Sequence, residues 1–135
     1  MVAMARERYG VEINSGPFGI NSRPALIGAK YAEAHGQGEA YHAAMFRAYW
    51  QKAQNIEDQQ VLREVAESVG LDGADFLAAL ADPQFERQVD ADIQQAMQYG
   101  LGGVPALVFA EKYLVNGAQP YGVLLELVER IQAEA

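Results

Sequence analysis

The residues able to do chemistry are few, and several kinds are missing. No cysteine occurs in the 135 residues, which excludes thiolate nucleophiles, disulfides and Cys-type zinc sites. The two histidines, His35 and His42, flank a break at Gly36 and Gly38. Glu33 and Glu39 are near them in sequence, but a metal site needs three or four converging ligands and no helix face collects them. Both histidines therefore read as surface residues, and no metal is expected. Glu57, Asp58, Asp72, Asp75, Asp82, Asp90 and Asp92 are numerous, yet most fall at helix starts, where capping and the helix dipole account for them. The serines are Ser15, Ser22 and Ser68, there is no threonine, and no serine lies in a Gly-x-Ser-x-Gly elbow. Gly100-x-Gly102-Gly103 follows a helix and lacks the Lys-Ser/Thr ending of a phosphate loop. Tyr41, Tyr49 and Trp50 could line a groove, but their helical spacing reads first as core. No catalytic residue and no cofactor is assigned. What remains is Pro105, which opens an apolar run where a missing N–H is tolerated.

The elements around these residues are clearly punctuated. Met1 to Tyr9 reads as a helix stopped by Gly10. Val11 to Ile13 is short and β-branched, hence extended, and Asn14 to Asn21 is a loop with Gly16, Pro17 and Gly19. Ser22 is placed as the N-cap of a helix running to His35. Glu39 to Gln54 is the next helix, with Tyr41, Met45, Phe46, Tyr49 and Trp50 on one face. Asp58 caps a helix with the stripe Val61, Leu62, Val65, Ala66 and Val69, closed by Gly70. Asp72 caps another, with Leu71 and Phe76 as a hydrophobic staple. Asp82-Pro83 starts a helix with Phe85, Val89, Ile93 and Met97 on one face, ended by Gly100. The pattern then changes. Val104 to Phe109 and Lys112 to Val115 are strand candidates. The gap between them, Ala110-Glu111, lacks the glycine or asparagine that a tight hairpin favours. Gln119-Pro120 opens a last helix whose face is Val123, Leu124, Leu127, Val128 and Ile131.

Length fits one domain, and the composition, about 50% hydrophobic, can build a core. The formal net charge of −8, with scattered basic residues, argues against a nucleic-acid partner and against an anionic membrane surface. No run approaches a membrane span of about 20 apolar residues. Met1 to Gly10 has no apolar core of a signal peptide, so a cytoplasmic location is the default expectation.

The sheet is short of strands. Ala106 to Phe109 is apolar at every position, as a strand buried on both faces would be, and two short strands do not stand alone. Val11–Ile13 could join, another chain could pair, or a piece of the fold is absent.

The segment Gly102-Gly103-Val104-Pro105-Ala106-Leu107-Val108-Phe109, followed by Lys112-Tyr113-Leu114-Val115-Asn116-Gly117-Ala118-Gln119-Pro120, resembles the C-terminal part of the DsbA-like thioredoxin superfamily, in its FrnE-like branch. Glu39 to Trp50, Ile56-Glu57-Asp58 and Val69-Gly70-Leu71-Asp72 keep the order of that family's helical insertion. The resemblance implies a thioredoxin-like α/β fold, mostly helical and with an incomplete sheet. Residues 1–21 would be a remnant helix and loop, 22–100 the helical insertion, and 101–135 the strand–strand–helix. It also implies a cis Val104–Pro105 bond, with Gly103, Val104 and Pro105 binding an extended substrate peptide. Family members begin with a strand, a Cys-x-x-Cys helix and another strand, which this sequence does not contain. The functional expectation is a thiol–disulfide oxidoreductase family member that is redox-inactive as this chain. The alternatives are a non-redox peptide- or protein-binding module, homodimeric through its unfinished sheet, and a glutathione-dependent isomerase- or transferase-like protein.

Overall fold

A computed structural model describes all residues, 1–135. Seven helices and one two-stranded antiparallel sheet follow in the order α1 Val2–Tyr9, α2 Arg23–Ala34, α3 Gly38–Phe46, α4 Gln59–Ser68, α5 Gly73–Ala79, α6 Pro83–Gln98, β1 Ala106–Phe109, β2 Tyr113–Asn116 and α7 Tyr121–Glu134. The architecture is the mostly helical thioredoxin-like α/β arrangement expected. Two compact units are present, Met1–Asp92 and Ile93–Ala135. The division falls inside α6.

Local chemistry explains where the helices of the first unit begin. Asp58 Oδ1 accepts from Gln60 N at 2.7 Å, Asp72 Oδ1 from Asp75 N at 2.9 Å, and Asp82 Oδ1 from Gln84 N at 2.8 Å. Each satisfies an amide that a helix start leaves without a partner. Leu71 and Phe76 are both buried, as a staple requires. Ser22 holds the N-cap position of α2 but makes no side-chain cap bond. Asn21 Oδ1 accepts from Arg23 N instead, at 3.0 Å.

The helix expected over 39–54 is interrupted. After Phe46 the backbone opens into a π-helical turn, Arg47–Gln51, with Lys52 N donating to Arg47 O at 3.0 Å. The wider turn rotates the following side chains off the core-facing stripe. Within the turn Ala48 faces inward, Tyr49 is half-buried and Trp50 is exposed; before it, in α3, Tyr41 and Ala44 are buried and Phe46 is exposed. The carbonyls of Trp50 and Gln51 are satisfied by Asn14, whose backbone N–H donates to Trp50 O at 2.7 Å and whose side-chain amide donates to Gln51 O. Val11–Ile13 forms no strand, so it does not supply the missing sheet neighbour.

The core of this unit joins α2 to α6 around Tyr31, Tyr41, Leu62 and Phe76. Tyr31 meets Phe76 and Phe85 edge-on, with ring centroids 6.0 and 5.7 Å apart. The Tyr41 hydroxyl donates to Ala25 O at 2.9 Å, so the buried phenol leaves no polar atom unpaired. Arg23 bridges Asp90 at 2.7 Å and Lys30 bridges Asp92 at 2.6 Å, tying α2 to α6. Only half of the α6 face expected from sequence is buried. Phe85 and Val89 are in the core, whereas Ile93 and Met97 are exposed.

In the second unit β1 and β2 pair in the register Ala106↔Asn116 to Phe109↔Tyr113. The turn between them places Ala110 and Glu111 at φ 52° and 55°, and Lys112 N donates to Phe109 O at 3.0 Å. Leu107, Phe109, Tyr113 and Val115 share one face. The Tyr113 hydroxyl on that face donates to the Glu134 carboxylate at 2.7 Å, which places α7 there, with Leu124, Leu127 and Ile131 half-buried. The opposite face carries Val108 and Leu114, both exposed. No side chain from 93 to 135 is fully buried.

Candidate functional site

Three glycines and a turn build the site proposed around Pro105. Gly100 ends α6 in the left-handed conformation, φ 70°, with its N–H donating to Met97 O and that of Leu101 to Ala96 O. Gly102 and Gly103 then carry the chain to Val104, with no atom nearby to meet an added Cβ at either glycine. The Val104–Pro105 peptide bond is cis. Pro105 O accepts from Gly117 N at 2.9 Å, which extends the β1–β2 register by one pair. Gly117 itself stands at φ 76°, where a side chain would be strained. Gln119 Nε2 closes the corner by donating to Asn116 O at 2.8 Å.

Together Gly100, Gly102, Gly103, Val104, Pro105, Asn116 and Gly117 line an open cleft of about 380 Å3. The structure thus brings Gly103, Val104 and Pro105 into one place. Gly100, Gly102, Asn116 and Gly117 join them there, and Asn116-Gly117 belongs to the motif that carries the resemblance. Val104 is 95% exposed.

The register also decides where the backbone points. Hydrogen-bonded and non-bonded pairs alternate along an antiparallel ladder. Pro105 bonds to Gly117, so Leu107 and Phe109 turn their amide groups toward β2. Ala106 and Val108 turn theirs away from it, along a β1 edge that no strand covers. The cleft at Val104 therefore continues into a row of unpaired donors and acceptors, the arrangement to which an extended peptide adds.

The lining holds no Ser, His, Asp, Glu, Lys or Arg. It can recognise a backbone, but it has no group to attack, protonate or deprotonate one.

The other candidates lie elsewhere and apart. His35 Nδ1 is 2.9 Å from Tyr31 O, with its ring over the Tyr31 ring at 4.1 Å. His42 Nε2 is 3.5 Å from Glu33. No group of three or more His, Asp or Glu side chains converges as a metal site would require. Asp58, Asp72 and Asp82 act as caps, while Asp90 and Asp92 are in ion pairs. Ser68 Oγ donates to Val65 O at 2.6 Å. Burial pushes the Tyr41 phenol well above its ordinary value, so it stays neutral and structural.

One cluster had no sequence signal. Lys112 and Arg130 lie 5.1 and 5.4 Å from the centre of the Tyr113 ring, and both reach Glu134 at 3.2 Å. The hydroxyl of Tyr113, then Lys112, hold the Glu134 carboxyl below its ordinary range.

Known proteins are similar to this chain in sequence and fold. The chain is 32% identical over 122 residues to the uncharacterized protein YwbO of Bacillus subtilis, covering 83% of this chain and 58% of YwbO. It superposes with TM-score 0.82 and 28% identity on the crystal structure of the probable DsbA oxidoreductase SCO1869 from Streptomyces coelicolor, covering 99% of this chain and 58% of that one. A putative protein disulfide isomerase from Nitrosomonas europaea, 19% identical, shares the fold with TM-score 0.74 over 98% of this chain and 70% of that one. The chain thus spans 58% of the length of YwbO and of the Streptomyces protein. Residues 2–129 match the model of the DSBA-like thioredoxin domain, and the chain belongs to that family.

Proposed function

We propose that this chain supplies the peptide-binding part of a FrnE-like thiol–disulfide oxidoreductase: Gly103, Val104 and Pro105 seat an extended substrate and no residue of the chain performs a redox step. The observation that carries this reading is the exposed Val104 backbone in line with the uncovered β1 edge. Strand addition needs such donors and acceptors, and a redox step needs the thiols that this sequence lacks. The absence of Lys and Arg from the cleft lining weighs against the glutathione-dependent reading, because nothing there would hold the two carboxylates of glutathione.

The test is binding of a short, dye-labelled, cysteine-free peptide of high β-propensity, followed by fluorescence anisotropy. Val104→Pro removes the Val104 N–H without touching the β1–β2 ladder and should lower affinity about tenfold, the order expected for losing one or two backbone hydrogen bonds to a ligand. Val104→Ala keeps the N–H and should bind almost as the parent does. Equal loss in both variants would refute backbone recognition.

A second reading uses the same edge. Two β1 strands pairing about a two-fold axis would cover it and bring the exposed Val108 and Leu114 of two copies together, giving a homodimer. A concentration-dependent dimer in sedimentation that dissociates when the peptide is added would support that reading. A monomer at all concentrations would remove it.

A further inference from the structure

Between α2 and the π turn lies a pocket of about 150 Å3, whose lining includes Ser22, Leu26, Met45, Phe46, Tyr49 and Trp50. Its wall is almost wholly apolar. A cavity of about this size takes one benzene-sized ring and is too small for a drug-sized ligand.

The loop that leads into Ser22 carries a ring. Phe18 is 101% exposed, the most exposed of the large apolar side chains. It sits at the tip of a loop fastened on both sides to the elements that form the pocket. Upstream, Asn14 N donates to Trp50 O at 2.7 Å, and Gly16 packs where a Cβ would meet Tyr49 O at 3.6 Å. Downstream, Asn21 N donates to Glu57 Oε2 at 3.2 Å, and Ser22 follows. Two residues of extended chain span at most about 7 Å, so the tether keeps Phe18 beside Gly16, itself against Tyr49. Gly19, at φ 74°, supplies a pivot next to the aromatic residue that a side-chain-bearing residue would resist.

We propose that Phe18 is the plug of this pocket. The loop 15–20 is a strap that swings the ring between solvent, as in the structure, and the space beside Trp50. The strap closes because an exposed phenylalanine and an apolar pocket both lose contact with water on meeting. A ligand carrying one aromatic ring competes with Phe18 and opens it. This proposal does not depend on the peptide-binding reading of the other unit.

The chain contains one tryptophan, and Trp50 lines the pocket, so its fluorescence reports closure in the intact protein. The probe is benzene, titrated by the shift of the Trp50 indole N–H resonance. Phe18→Ala should red-shift the Trp50 emission, increase its quenching by acrylamide and bind benzene about threefold more tightly, the gain expected if the strap is closed about two-thirds of the time. Phe18→Leu, which keeps an apolar plug, should stay near the parent on all three measures. Far-ultraviolet circular dichroism should be unchanged in both, since Phe18 makes no core contact. Phe18→Ala indistinguishable from the parent in emission or in benzene affinity would overturn the proposal, and so would the absence of benzene binding in every variant.

Discussion

Gly28→Ala sets two effects of known size against each other in the middle of α2. Alanine is the better helix former by about 1 kcal/mol, so propensity alone predicts a more stable protein. The packing predicts the reverse. An added Cβ would lie 2.6 Å from Phe76 Cζ, 2.6 Å from the Tyr41 hydroxyl and 2.7 Å from Phe76 Cε2. Neither neighbour is the free end of a flexible chain, because Phe76 is 0% and Tyr41 1% exposed. Overpacking a filled core costs about 1–3 kcal/mol. A displaced Tyr41 also loses its bond to Ala25 O, and an unsatisfied buried hydroxyl costs about 1–3 kcal/mol. The clash outweighs the propensity gain, leaving a net destabilisation of about 1–5 kcal/mol. Urea denaturation followed by circular dichroism should show the midpoint falling by about 1 M or more at the slopes usual for small proteins. Gly122→Ala is the control. It lies in α7 with nothing within 4 Å, so it should be neutral or stabilise by up to about 1 kcal/mol. In Gly28→Ala combined with Phe76→Leu the two costs should add to less than their sum, since the smaller side chain makes room for the new methyl. A Gly28→Ala protein as stable as the parent would mean that α2 and α5 do not approach as described.

Further outcomes follow from other parts of the chain. Glu111→Gly relieves a left-handed residue worth about 1–2 kcal/mol and adds about 0.4–1 kcal/mol of unfolded-chain entropy, so hydrogen exchange at Leu107 and Val115 should slow a few-fold. Asp58→Ala and Asp72→Ala should each destabilise by about 1 kcal/mol in thermal melts, and Ser22→Ala should have no measurable effect, because Ser22 makes no cap bond. Glu134 is held below its ordinary value of 4.5, first by Tyr113 and then by Lys112. Its contribution to hairpin order is therefore complete above that value and is lost as pH falls through it to the lower folded one. The Tyr113 ring resonances should report this acid-side loosening in the parent and not in Glu134→Gln.

What the sequence made legible was local. Asp58, Asp72 and Asp82 mark helix starts because a cap is a bond between a side chain and amides two or three residues on. Gly10, Gly70 and Gly100 mark helix ends because only glycine adopts that conformation without strain. The same logic failed at Ala110-Glu111, which adopts the left-handed geometry of a tight turn without the residues that favour it; the pairing of β1 with β2 holds it there. The π turn at 47–51 was invisible because an apolar stripe at three- and four-residue spacing looks the same whether or not one turn is wide. Trp50 reads as core from its spacing for that reason, and the wide turn leaves it exposed. Pro105 and its neighbours were legible through the Gly-Val-Pro and Asn-Gly-Ala-Gln segments. Only the register, fixed by the bond from Gly117 to Pro105, shows which backbone groups of β1 remain unpaired.

The thinness of the second unit links recognition to lifetime. With no side chain of 93–135 fully sheltered, this stretch has little free energy of its own to resist opening. A protease that cuts opened chains should attack there first, at a rate set by the open population. Anything that pairs with the β1 edge draws down that population in proportion to its concentration over its dissociation constant. The half-life of the hairpin under limited digestion, measured against ligand concentration, is then a binding isotherm.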